Sequence, residues 1–102
     1  MPEATLGRAL LRTLEDLNAL ILKASDADVP RLRDQRRALI GRIEDLVEAN
    51  LDRGSQEYAK ATEGLQAASA TIRDALAHLE RVARAIETLG RALELVARVA
   101  AA

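Results

Sequence analysis

The side chains best suited to chemistry are a run of arginines. Arg31-Leu32-Arg33-Asp34-Gln35-Arg36-Arg37, with Arg42 beyond it, places five Arg and one Asp in twelve residues. A guanidinium group makes paired, planar hydrogen bonds to carboxylates and phosphates, so the cluster suits an acidic protein surface or a nucleic-acid backbone. Arg31, Arg33, Arg36, Arg37 and Arg42 are therefore the candidate partner-binding residues. The competing reading is internal: Glu15, Asp16, Asp26 and Asp28, or a second subunit, neutralise them. Cations at the start of a helix also oppose its dipole, and Glu44, Asp45, Glu48 and Asp52 oppose it at the other end. This polarity does not help the helix form.

The remaining reactive side chains are sparse. Glu44, Asp45 and Glu48 fall within one helical turn but stand among other charges, as on a solvated helix face. His78 is the single histidine, four residues after Asp74, a spacing that brings two side chains onto one helix face. A structural role at the rim of the bundle suits it better than catalysis. Tyr58 is the single aromatic residue. Its ring is expected to pack into one end of the bundle, with the hydroxyl reaching water or backbone. There is no glycine-rich phosphate loop, no G-x-S-x-G, no Glu-x-x-His pair and no cysteine. The expectation is a chain with no catalytic residue, no metal site and no cofactor, and not an enzyme.

The elements that must position these residues are helices. Of the 102 residues 49% are hydrophobic, nearly all of them Leu, Ala, Ile and Val, with one aromatic residue. Ala, Leu, Arg and Glu favour helix, while strands favour β-branched and aromatic side chains. The length suits one domain over residues 1–102. A net charge of −1 gives no global attraction to nucleic acid or anionic lipid. No signal peptide is visible at Met1-Pro2-Glu3-Ala4, and no apolar run is long enough to span a bilayer. A cytoplasmic location, with no membrane attachment, is expected.

Three helices follow from hydrophobic period. The first, about 4–24, carries Leu6, Leu10, Thr13, Leu17, Leu20 and Ala24 at alternating steps of four and three, widened by Leu14 and Ile21. Ser25-Asp26-Ala27-Asp28-Val29-Pro30 ends it, with Asp28 or Asp26 as the next N-cap. The second, about 29–51, presents Leu32, Leu39, Ile40, Ile43, Leu46, Val47 and Leu51. Asn50 and Gly54 suit its end and Ser55 the next cap. The alternative is a helix continuous through Gly54, since Ile40, Val47, Leu51 and Tyr58 hold one heptad register.

The third helix, about 55–99, has the strongest pattern. Tyr58, Leu65, Ile72, Leu79, Ile86, Leu93 and Ala100 recur every seven residues. Ala61, Ala68, Ala75, Val82, Leu89 and Val96 follow the first six by three. Such an a/d repeat predicts supercoiled packing. Glu80, Glu87 and Glu94 precede Arg84, Arg91 and Arg98 by four and mark the solvent face. The e and g positions hold Ala83, Ala85, Gly90, Ala92, Ala97 and Val99, an apolar face wide enough for two neighbours.

At 1.5 Å per residue this helix would be roughly 65–70 Å long, against about 30–35 Å for each of the other two. Its second half would stand bare, so Leu79, Val82, Ile86, Leu89, Leu93 and Val96 are the candidate oligomer interface. The expected architecture is an all-α bundle of two shorter helices and one long heptad-patterned helix, assembled as a coiled-coil-like homodimer or higher homo-oligomer. The alternative is a break near 64–71, with Thr71 and Asp74 as a capping pair, giving a monomeric four-helix bundle.

The function expected from these features is non-enzymatic: a protein-interaction module that self-associates and binds a partner protein, as a small adaptor, inhibitor, chaperone or immunity-type protein does. The alternative is a small nucleic-acid-binding regulator using the Arg patch. Near-neutral charge and missing stacking aromatics count against it. A lipid- or granule-coating role lacks the Trp, Phe and clustered Lys it would need.

Overall fold

A computed structural model describes residues 5–48 and 55–101. Four α-helices account for most of them: α1 (Leu6–Lys23), α2 (Val29–Glu48), α3 (Gln56–Ala77) and α4 (Val82–Ala101), with a 3-10 turn at Leu79–Arg81 before α4. The expected boundaries at Ala4, Asn50, Leu51 and Gly54 lie outside the described residues.

Local sequence sets the helix starts. Thr5 is extended (φ −100°, ψ 155°) and its hydroxyl accepts the Arg8 N–H. Ser55 does the same for the N–H of Tyr58. Each hydroxyl satisfies a first-turn donor that has no partner within its own helix. At the α1–α2 turn, Asp28 sits just before α2. Its carbonyl accepts the Leu32 N–H and its carboxylate takes the Ser25 hydroxyl at 3.1 Å.

The four helices form two hairpins laid side by side. Each helix packs against two neighbours, in the order α1, α2, α4, α3 around the bundle. Cross-hairpin hydrogen bonds join Leu6 to Tyr58, Thr13 to Leu65 and Asp16 to Ser69, advancing together along both chains. α1 is therefore parallel to α3. Between α2 and α4 the Gln35 side chain reaches the Ile86 carbonyl. The core is a single cluster that includes Leu6, Leu17, Leu20, Leu32, Leu39, Leu65, Ile72, Leu89 and Val96. Small residues set the α3–α4 spacing: a Cβ added at Gly64 would lie 3.8 Å from the Ala92 Cβ and 2.8 Å from Leu95 Cδ1.

The long third helix is replaced by two. The chain bends at His78 (φ −139°, ψ 87°), and α4 folds back along α3. The long axis of the molecule is 39 Å, too short for a helix of about 70 Å. The break comes at 78–81 rather than 64–71. Thr71 lies inside α3, bonding its hydroxyl to the Ala68 carbonyl instead of capping a helix. Asp74 instead serves the bend, where its carbonyl accepts the His78 N–H and its carboxylate pairs with Arg81 at 2.9 Å.

Burial explains why the chain folds back. Val82, Ile86, Leu89, Leu93 and Val96, expected to stand bare, are buried with Ala85, Ala92 and Val99 in the chain's own core. Each fully buried Val, Leu or Ile is worth about 1.5–3 kcal/mol. Against that gain, the bend leaves Leu79 44% exposed. The second helix is also corrected. Leu32, Leu39 and Leu46 are buried and Ile43 partly so, but Ile40 and Val47 are 41% and 80% exposed.

Candidate partner-binding face

α2 is gripped on two edges, and the grip divides its arginines. On one edge the Gln35 amide donates to the Ile86 carbonyl of α4 at 2.7 Å. On the other, Arg36 donates to the Asn18 side chain of α1 at 3.2 Å. Arg42 is seven residues from Gln35 and so lies on the α4 edge, where it pairs with Asp45 at 3.2 Å. Arg33, Arg36 and Arg37 line a cleft with Ile40 beside the α1 edge. Arg31 is exposed and falls near the Arg42 side by helical spacing. The fold thus gathers three of the five candidate arginines and separates the other two.

The carboxylates expected to neutralise the cluster are engaged elsewhere or solvated. Asp16 faces α3, where it accepts the Ser69 hydroxyl and pairs with Arg73 at 3.2 Å. Asp28 takes Ser25, and Glu15 and Asp26 are exposed. Among the described residues, Arg33 and Arg37 hold no ion pair, and Arg36 bonds only to a neutral amide.

Apolar side chains flank these cations. Leu11 and Leu22 of α1 are 58% and 87% exposed, and with Asn18 they fall on one stripe of that helix. Ile40 and Val47 of α2 share the matching stripe. The helices run antiparallel, with Asn18 beside Arg36 and Gly7 with Val47 in one cleft. The outer seam between α1 and α2 therefore carries Leu11, Ile40 and Val47 toward one end and Leu22 with Arg33, Arg36 and Arg37 toward the other. Its apolar end opens into a cleft of about 310 Å³ lined by residues including Leu6, Leu10, Ile43, Leu46 and Tyr58. Sequence reasoning did not single out Leu11 and Leu22. The available signal was their position off the stripe of Leu6, Leu10, Leu17 and Leu20, where a solvated helix normally carries charge.

The other polar candidates occupy structural positions. Tyr58 is buried, and its hydroxyl oxygen accepts the Leu6 N–H at 2.9 Å. His78 ends α3 with its imidazole exposed, Nδ1 lying 3.7 Å from Glu80 Oε1. Glu44 and Asp45 are exposed. Among the described residues no group of three or more His, Cys, Asp or Glu could hold a metal ion, and no helix is long and apolar enough to cross a membrane. Comparison with protein-family models, with curated proteins and with solved structures finds no significant match.

Proposed function

We propose that the chain is a non-enzymatic protein-interaction module that binds an acidic amphipathic helix of a partner protein along the outer α1–α2 seam. One observation carries this reading: exposed Leu11, Leu22, Ile40 and Val47 share a face with Arg33, Arg36 and Arg37, which have no carboxylate partner among the described residues. Exposed apolar side chains along one seam with Arg among them match the composition of interface centres. A partner helix with apolar residues at i, i+3, i+4 and i+7 would set them against the leucines, isoleucine and valine. Its carboxylates would meet the guanidinium groups. A nucleic acid would use the arginines but gain nothing from the apolar half.

The test uses a designed amphipathic peptide with Leu on one face and Glu on the other, together with a Lys version of it and a single-stranded RNA oligonucleotide. Backbone amide spectra are recorded during titration. Perturbations from the acidic peptide confined to the α1–α2 seam, weakened at least tenfold by Arg33→Ala with Arg36→Ala and Arg37→Ala, support the reading. Binding of the oligonucleotide alone replaces it with the nucleic-acid alternative. No perturbation by any probe removes the seam as a binding site.

Self-association is a second mode, favoured by a separate observation. The heptad register of α3 and α4 runs on through the bend that divides them.

A further inference from the structure

The segment that reverses the chain is built of helix-compatible parts. Between Gln56 and Ala101, His78 alone departs from helical geometry, with α-helix before it and a 3-10 turn then α-helix after it. Ala77-His78-Leu79-Glu80-Arg81 contains neither Gly nor Pro. No described residue has a positive φ. The left-handed glycine that ends many helices is missing here.

The apolar register does not change phase across the bend. Ile72, Leu79 and Ile86 occupy one heptad position, and Ala75, Val82 and Leu89 the other. A turn between two antiparallel helices places no demand on that phase. A continuous helix requires it. The mismatch shows at one residue: Leu65, Ile72, Ile86 and Leu93 are buried, while Leu79 at the same position is 44% exposed.

We propose that α4 is an exchangeable element. Rotation at His78 straightens residues 56–101 into one helix of about 70 Å. The α4 of each copy then fills, on a second copy, the site between α2 and α3 that it occupies here. This rests on the self-association mode above and gives its route. The packing of α4 against α2 and α3 is made again across the two copies, so the two states differ at the bend, with its 3-10 turn, and in the association itself. Straightening gains continuous helix at 78–81 and returns Leu79 to the seam at the centre of the dimer. It loses the Asp74–Arg81 ion pair, whose residues lie two turns apart in a straight helix.

The chain has no cysteine, so a new pair can report the exchange. A Cβ at Gly64 lies 3.8 Å from that of Ala92, the separation a disulfide uses. The Gly64→Cys, Ala92→Cys chain is refolded at high concentration and its species are separated by size with light scattering. Each species is then oxidised and run on a non-reducing denaturing gel. Exchange predicts a dimer whose disulfides join two chains and a monomer whose disulfide stays within one. Leu79→Pro, made in the wild-type background as well, should lower the dimer fraction at least tenfold while leaving a folded monomer. A dimer with intrachain disulfides, insensitive to Leu79→Pro, overturns the exchange and keeps self-association. A chain that stays monomeric throughout, in the wild-type background too, overturns both.

Discussion

The phenolic oxygen of Tyr58 accepts the backbone N–H of Leu6 at 2.9 Å, joining the first turn of α3 to that of α1 across 52 positions. The N–H of Leu6 is a first-turn donor with no acceptor in its own helix. Leu6 and Tyr58 are both buried, so water cannot easily replace the bond. Tyr58→Phe keeps the ring and orphans that donor. The expected loss is about 1–3 kcal/mol, the cost of an unsatisfied buried polar group. A denaturant titration should show a lower midpoint with an unchanged slope.

Gly41 and Gly64 should respond differently to alanine. A Cβ at Gly41 meets nothing within 4 Å, and the residue lies inside α2. Gly41→Ala should stabilise the chain by about 0.5–1 kcal/mol through helix propensity and a less free unfolded chain. At Gly64 the added carbon stands 2.8 Å from Leu95 Cδ1. Leu95 must turn away, offsetting the propensity gain. Thermal melts of the two variants compare the effects directly, and a Gly64→Ala gain equal to that of Gly41→Ala would mean α3 and α4 are not held this close.

Sequence alone gave the class of fold and the faces of α1 and α3, because Leu6, Leu10, Leu17 and Leu20, like Tyr58, Leu65 and Ile72, follow a period that only a helix satisfies. The bend at His78 was hidden for a physical reason. Helix ends are read from Gly, Pro and capping side chains, and this one is made by Ala, His, Leu, Glu and Arg. What decides it is tertiary: α4 gains a core by folding back. The Arg patch was legible as a cluster but not in its division, since only packing reveals that Arg42 shares an edge with Gln35 while Arg36 shares one with Asn18. Ile40 and Val47 fit an apolar stripe in the sequence. α2 instead buries the narrower set Leu32, Leu39 and Leu46.

Gln35 spans α2 and α4 with half of its amide used. Its nitrogen donates to the Ile86 carbonyl at 2.7 Å, whereas its oxygen is buried without a partner among the described residues. A buried unpaired acceptor costs about 1–3 kcal/mol, comparable to what the single bond returns. Gln35→Met has a similar shape and no polar end. It should leave stability unchanged or raise it by up to about 1 kcal/mol, as read by denaturant midpoint. A large loss would show that the Gln35–Ile86 bond outweighs the unpaired oxygen.

Leu22 and Val47 contribute little to the fold they decorate. At 87% and 80% exposed, each has most of its side chain in water already. Leu22→Lys and Val47→Lys should each shift stability by no more than about 0.5 kcal/mol, as surface changes away from caps and core usually do. Helical circular dichroism and melting midpoint check this. The same pair should weaken binding of the acidic amphipathic peptide, which separates a role in recognition from one in folding.

Proline provides a positional test of the bend. Leu79 opens the 3-10 turn, where a backbone N–H has no helical acceptor, and His78 before it is in a non-helical conformation. Proline is favoured at such a first position, and the residue before a proline avoids the helical region in any case. Leu79→Pro should therefore change monomer stability by less than about 1 kcal/mol. Leu76 lies inside the last turn of α3, partly buried against the core. Leu76→Pro removes a helical hydrogen bond and sets its ring against the Ile72 carbonyl, at a cost of about 3 kcal/mol or more. Chemical denaturation of the two variants should show a difference of several-fold in destabilisation. Equal destabilisation would mean that residues 78–81 are helical in solution and that the chain does not turn there.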